Sequence, residues 1–292
     1  MRAFGDYNPA VIFVYFMAAA GCAMFSMNPV LLALSLAGAF LYCLCREGGR
    51  CAKPCLFFAA VILASAAINP FFNHNGVTVL FVMNNNPVTL EAVLYGAAAG
   101  GAIASSLMWF RSFSALMTSD RILYLLGGIS PKLALLVSMT LRYIPLFGVQ
   151  YKKTSDAQRA LGLYSDADIP DAIRGGTRVF SVMVTWALEN GIVTADSMEA
   201  RGYGIGRRTN FALCRFRRSD GILLILILVM LGITAAGSLA GALGFAYYPA
   251  VKSVTATVMG LLSYISYAAL ALLPSAMSLC EEIKWRYLKS KI

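Results

Sequence analysis

The run ILLILILVMLGITAAGSLAGALGF, residues 222–245, contains no charged side chain, and its length decides which solvent the chain occupies. A hydrocarbon core about 30 Å thick needs roughly 20 apolar residues from a helix, and this run exceeds that. Further uncharged runs occupy residues 11–25, 30–45, 56–68, 92–110 and 254–280. Hydrophobic residues make up 59% of the 292 and charged residues 13%, well below the roughly 25% charged content of a soluble domain. The fold expected is all-α, a polytopic membrane helical bundle with six crossings. The first run is read as a retained helix and not a signal peptide, because Arg2, Asp6 and Pro9 precede it and no small-residue cleavage site leads into a polar domain.

Charge orients the bundle, since basic loops stay on the cytoplasmic side. Arg46, Arg50 and Lys53 place the loop after the second run inside. Residues 69–90 hold no Lys or Arg and read as outside, whereas Lys284, Arg286, Lys289 and Lys291 place the C-terminus inside. Both termini are therefore expected in the cytoplasm. Residues 111–220 contain 15 of the 24 basic and 9 of the 14 acidic residues, so this stretch is expected at or near the cytoplasm, as a solvated loop or as a docking region. The expected organisation is N-terminal transmembrane helices over 1–116, a cytoplasmic region over 117–220, and a C-terminal transmembrane hairpin with a basic tail over 221–292. Residues 133–147 are apolar but interrupted by Arg142 and Pro145. They are short for a span and read as a helix packed on the bundle near the cytoplasmic face; if they cross, a second crossing is needed to keep 150–218 inside.

Few residues invite chemistry of their own. Cys43, Cys45, Cys51 and Cys55 lack a paired C-x-x-C and a nearby His, so they read as small apolar packing residues and not as a metal site. The single histidine, His74, lies in a polar outside segment without companion ligands. Glu91 begins a membrane run, where a carboxylate favours the positive end of the helix dipole. Lys152, Lys153, Arg207, Arg208, Arg215, Arg217 and Arg218 suit anionic headgroups of the bilayer. No nucleic-acid-binding fold accompanies them, so nucleic acid is not an expected partner. No G-x-x-x-x-G-K-[ST] loop is present, and no cofactor or metal is expected.

Within 111–220 the pattern predicts one helix over 146–163, stopped by Gly162, and a second beginning at Pro170, capped by Asp168, and ending at Asn190-Gly191. A third, over 192–201, ends at Gly202 and Gly204. Ala200 and Gly202 flank Arg201 with almost no bulk. A partner could approach this backbone closely while the guanidinium grips a carboxylate in two-point fashion. An ordinary helix C-terminus favouring a cation through the dipole fits equally well.

Ser197-Met198-Glu199-Ala200-Arg201-Gly202-Tyr203 resembles the second Ala-Arg-Gly motif of the transmembrane T component of energy-coupling factor (ECF) transporters, the EcfT/CbiQ-like family that includes cobalt and nickel permease subunits. Asn69-Pro70-Phe71-Phe72-Asn73-His74-Asn75-Gly76, Pro87-Val88-Thr89-Leu90-Glu91-Ala92, Thr118-Ser119-Asp120-Arg121 and Leu141-Arg142-Tyr143-Ile144-Pro145 are similar to segments of the same family, so the resemblance covers roughly residues 60–215. It implies two long cytoplasmic coupling helices lying on a pair of ABC-type ATPase subunits, homo- or heterodimeric, each motif arginine pairing with acidic residues there. It also implies a small membrane S component that binds a vitamin or transition-metal ion. The chain itself would be non-catalytic, a subunit of a cell-membrane importer. One departure stands out. Where the first motif usually reads Ala-Arg-Gly, this chain has Ala160-Leu161-Gly162, and Arg159 lies two positions, about 200°, around the helix. ATPase coupling is thus expected of Glu199, Ala200, Arg201 and Gly202, and at the first end of Arg159, Ala160 and Gly162. A self-contained secondary transporter or channel is the alternative, but inverted repeats and paired mid-membrane charges are not evident in the sequence.

Overall fold

The boundaries of the first two helices follow from four residues. Pro9 and Pro29 sit in the opening turns, where a missing N–H leaves no bond unmade. Asn8 and Asn28 cap them, each side chain accepting from the backbone N–H two residues on at 3.0 Å. In the computed structural model the described residues are 4–73, 75–83, 86–162, 169–206, 216–248 and 257–290. Among them the helices are α1 (Pro9–Phe25), α2 (Pro29–Glu47), α3 (Ala52–Phe72), α4 (Leu90–Leu116), α5 (Ser119–Ile129), α6 (Pro131–Ala160), α7 (Ile169–Ala200), α8 (Arg218–Leu239) and α9 (Val258–Lys289). A short antiparallel hairpin of β1 (Val79–Met83) and β2 (Asn86–Thr89) precedes α4. The chain forms two compact units, one from residues 1–122 and 214–292 and the other from 123–213.

In the first unit α4 packs on α1, α2 and α3, while α9 packs on α2 and α8. The centre is aromatic. Phe4, Tyr15, Phe16, Tyr42 and Trp109 are all buried, and their rings meet mostly edge to face at 5.1–6.4 Å, the arrangement the ring quadrupole favours. The polar tips of Trp109 and Tyr15 are answered, as a site without water requires. Trp109 Nε1 donates to Ser35 Oγ at 3.0 Å and Tyr15 Oη to the Leu270 carbonyl at 3.1 Å. Small residues set the helix contacts. A Cβ added to Gly96 would lie 2.7 Å from the Ser65 carbonyl and Asn69 Cβ, and one at Gly100 2.9 Å from Ile62 Cα. The two glycines, one turn apart, thus let α4 reach the backbone of α3. Ser65 and Asn69 reinforce the contact, donating to the Gly96 and Ala92 carbonyls at 2.9 and 2.6 Å.

In the second unit α6 and α7 lie against each other. Val179 and Met183 of α7 are buried one turn apart, and Gly175 and Thr194 continue the same stripe. This is the period of a helix with a single packed face.

Several boundaries differ from the sequence reading. The segments at 133–147 and 146–163 are one helix, α6; Pro145 removes one bond and does not break a helix of 30 residues. The helices expected to either side of Asn190-Gly191 are likewise one, α7. An interior glycine costs only about 1 kcal/mol relative to alanine, and contacts on both sides, at Trp186 and Thr194, hold α7 to α6. The run 222–245 is helical only to Leu239. Gly241 at φ +72° ends α8, its N–H donating to the Ser238 carbonyl (3.1 Å) and that of Ala242 to Gly237 (3.0 Å). The run at 56–68 lengthens to 52–72, with Pro70 inside the helix, and the β hairpin was not expected. Among the described residues six helices are long and apolar enough to cross a membrane: α2, α3, α4, α6, α8 and α9. The number matches the expectation but the membership does not. α1 is a shorter apolar helix, and α6, which the sequence reading kept out of the spans, qualifies by length and composition. The chain is an all-α, multi-pass membrane protein.

Candidate functional site

The residues singled out by sequence gather at the ends of the two long helices of the second unit. At the end of α7 the N–H of Gly202 donates to the Glu199 carbonyl at 2.9 Å and that of Tyr203 to Met198 at 3.0 Å. With Gly202 at φ +82° this is a Schellman ending. Ala200 is the last helical residue, Arg201 the cap and Gly202 the left-handed residue that follows. Here only a residue without a Cβ meets no penalty. Glu199, Ala200 and Arg201 are exposed, and among the described residues the Arg201 guanidinium has no hydrogen-bond or ion-pair partner.

The end of α6 is built alike. The Leu161 N–H donates to the Ala157 carbonyl at 3.1 Å and that of Gly162 to Arg159 at 3.0 Å, with Gly162 at φ +70°. Arg159, Ala160, Leu161 and Gly162 are all exposed, Leu161 to 69%. The two ends also share a pattern overlooked in the sequence reading. Thr154, Asp156, Ala160 and Gly162 recur 40 positions on as Thr194, Asp196, Ala200 and Gly202. A T-x-D-x-x-x-A-x-G repeat could have been found without a structure. The other five positions differ, among them the cap, Leu161 against Arg201, and the position two before it, Arg159 against Glu199.

The helices cross in opposite senses. Tyr143 Oη and Thr194 Oγ1 share a hydrogen bond of 2.8 Å, and the Phe147 and Trp186 rings meet edge to face at 5.6 Å. Each motif therefore lies about 20 Å along its own helix from the crossing, in opposite directions, at 1.5 Å per residue. The structure forms each motif locally and does not bring the two together. Beside the crossing is an apolar cleft of about 700 Å³ lined by Phe147, Tyr151, Phe180 and Met183 among others. Both helices expose large apolar side chains, including Ile144, Val149, Ile173, Leu188 and Ile192. Lys152 and Lys153 are exposed on α6, and Arg174 pairs with Asp171 at 3.9 Å on the surface of α7, a contact of little energetic weight.

The other candidates resolve into structural roles. Cys43 and Cys51 meet, but with Glu47 and not with Cys45, their ligand atoms lying within 4.8 Å of one another. Arg111 pairs with Glu47 and also donates to the Cys43 sulfur at 3.7 Å, and the Cys51 thiol donates to the Cys43 carbonyl at 2.7 Å. Burial first, then the neighbouring Cys43 and Glu47, push the Cys51 thiol up to about 12. A protonated thiol and an already paired carboxylate make this a polar latch between α2 and α4. Glu91 is buried in the first turn of α4, which Thr89 caps, and accepts from the Thr78 N–H at 3.2 Å. It ties the hairpin to the helix in addition to facing the dipole. His74, Asp168, Arg207, Arg208 and Arg215 lie outside the described residues.

Comparison with known proteins gives the same direction. Over 104 residues the chain is 35% identical to the energy-coupling factor transporter transmembrane protein EcfT of Listeria innocua, a match covering 35% of this chain and 39% of that protein. The alignment therefore spans well under half of the relative. A family model described as CbiQ, cobalt transport protein, matches residues 6–211. With most of its length matched by that family, and six helices able to span a bilayer, the chain belongs to the CbiQ family and is an EcfT/CbiQ-like transmembrane transport component.

Proposed function

We propose that this chain is the non-catalytic coupling subunit of an ATP-driven importer of the ECF type. In this reading α6 and α7 lie on the cytoplasmic side, as do both termini, and their ends dock on two ABC-type ATPase subunits. Arg201, with Glu199, Ala200 and Gly202, grips carboxylates of one subunit, and the Arg159–Gly162 end seats on the other. ATP-driven movement of the pair changes the crossing of α6 and α7. The apolar faces and cleft of that crossing pass the movement to a small membrane S component, which would bind the vitamin or transition-metal ion.

One observation carries the reading: an exposed arginine sits between Ala200 and Gly202 on the Schellman turn that ends a 32-residue helix. The turn removes bulk around the guanidinium, so a carboxylate can take it in bidentate fashion. Its twin at Gly162 supports a two-point platform. The test is Arg201→Glu in the chain purified with its companions from native membranes. Loss of a charge-assisted bond and the repulsion that replaces it should lower the recovered ATPase subunits at least about tenfold, while Arg201→Lys should retain part of them. Full recovery with Arg201→Glu would sink the reading.

A further inference from the structure

Counting cysteines alone hides a spacing that a carboxylate completes. Cys43, Glu47, Cys51 and Cys55 recur at intervals of four, which on a helix places successive members one turn apart on one face. Cys43 and Glu47 close α2. Cys51, with helical φ and ψ of −67° and −15°, opens α3, and Cys55 follows one turn on. Gly48, at φ +57°, ends α2 between the two pairs, and the turn it allows brings them together. Independently of the coupling role proposed above, we infer that Cys43, Glu47, Cys51 and Cys55 form a structural site for one thiophilic divalent cation, with Zn²⁺ the best match to this ligand set.

The Cys43 and Cys51 sulfurs and a Glu47 oxygen lie within 4.8 Å of one another, and Cys51 Sγ stands 3.9 Å from Glu47 Oε2. Tetrahedral zinc, with Zn–S bonds of about 2.3 Å and a Zn–O bond of about 2.1 Å, holds neighbouring ligand atoms about 3.6–3.8 Å apart. These three ligands therefore need to close by no more than about 1 Å. Cys55 is half-buried and has Cys43, Glu47 and Arg111 as its electrostatic neighbours. Cys45 does not belong to the set: it stands about 200° around α2 from Cys43 and neighbours Glu282 of α9 instead. Positive charge already meets two of the four ligands, since Arg111 pairs with Glu47 and donates to the Cys43 sulfur. The latch described above is then the metal-free form of the site. Binding releases the thiol protons to solvent and frees Arg111, whose side chain is 37% exposed and can turn to water. The pair it gives up is partly exposed and of little weight. Three thiolates select against Mg²⁺ and Ca²⁺, and four protein ligands leave no open position, which is the make-up of a structural and not a catalytic centre. The adjoining Arg46, Arg50 and Lys53 read as cytoplasmic, the side on which thiols stay reduced and free to ligate.

The test uses the full chain in lipid nanodiscs, its affinity tag removed, reduced and stripped with chelator, then given Zn²⁺ alone and washed. Elemental analysis counts the bound zinc, and a competing zinc dye reads the affinity. One equivalent per chain is expected. Cys51→Ser, Cys55→Ser and Glu47→Gln should each weaken binding at least about tenfold, since even groups outside the ligand sphere are worth about 10- to 100-fold. Cys45→Ser should leave it unchanged. A second arm needs no variant: Cd²⁺ in place of Zn²⁺ should give a thiolate-to-metal absorption in the ultraviolet of the strength that three Cd–S bonds produce. No zinc on the unaltered chain, no such absorption with Cd²⁺, equal retention by Cys51→Ser and Cys55→Ser, or equal loss from Cys45→Ser would each overturn the inference and leave the coupling reading intact.

Discussion

Replacing Gly202 by alanine tests whether the turn, and not the arginine alone, defines the second helix end. At φ +82° a Cβ is opposed by the backbone itself, a cost of about 1–2 kcal/mol for a left-handed residue. The space around it adds nothing, because the nearest atom to the new Cβ would be Ile205 Cδ1 at 3.6 Å, an ordinary contact. The whole effect should fall on the two bonds that close the turn, Gly202 N–H to Glu199 and Tyr203 N–H to Met198. A cost of that size shifts the local equilibrium about 5- to 30-fold. Hydrogen exchange of the purified protein should show amides 202 and 203 exchanging faster by that factor, with the interior of α7 unchanged. Gly191→Ala is the opposing control. It lies within α7 with nothing within 4 Å of the added Cβ, and alanine favours the helix by about 1 kcal/mol, so exchange there should slow. Unaltered exchange at 202 and 203, or faster exchange in Gly191→Ala, would refute the assignment of these glycines.

Further outcomes are expected at the helix contacts and at the latch. Gly100→Val should cost about 1–3 kcal/mol or more through overpacking against Ile62 and Ser65. Gly101→Ala next to it, with only Leu36 Cδ1 at 3.8 Å, should be close to neutral; thermal inactivation in lipid nanodiscs separates the two. Trp109→Phe should destabilise by about 1–3 kcal/mol, because Ser35 is left buried without its donor, and Ser35→Ala in the same background should recover part of the loss. The Cys51 thiol, pushed up to about 12 from an ordinary value near 8.5, should react with a soluble maleimide at pH 8 about three orders of magnitude more slowly than a free thiol. Because its folded value is raised, the folded state holds the proton more tightly. Its contribution to stability is present below about pH 8.5 and is lost as pH rises through about 12. Arg111→Ala should raise labelling of the Cys43–Cys51 pair by opening the latch.

How much of this was legible in the sequence depends on the kind of signal. Uncharged runs locate helices because the bilayer leaves few alternatives, and all six reappear as helices, α1, α2 and α3 within four residues of their expected bounds at both ends. Endings were misjudged where local chemistry competed with context. Gly191 and Pro145 read as stops, yet each is flanked by residues of α6 or α7 held to the other helix. Gly241 sits inside a run that hydrophobicity alone extends to Phe245, and only its positive φ shows that α8 has ended. Gly162 and Gly202 were read correctly, because each follows the last helical turn and no packing overrides it. The pairing of Glu47 with Arg111 could not be read, since it joins α2 to α4 across 64 residues. The 40-residue repeat could have been read, but comparing segments only with outside patterns hides an internal one.

The central claim is that α6 and α7 carry movement from an ATPase pair. Spin labels on non-natural side chains at positions 157 and 197, equivalent sites one turn back from the two caps, leave the native cysteines untouched. Pulsed dipolar spectroscopy would then measure the distance between the two arms in the complex purified from native membranes. The account predicts a shifted distance distribution when a non-hydrolysable ATP analogue is added, and a return when it is removed. A distribution unchanged by the nucleotide, in a complex that retains its ATPase subunits, would contradict it.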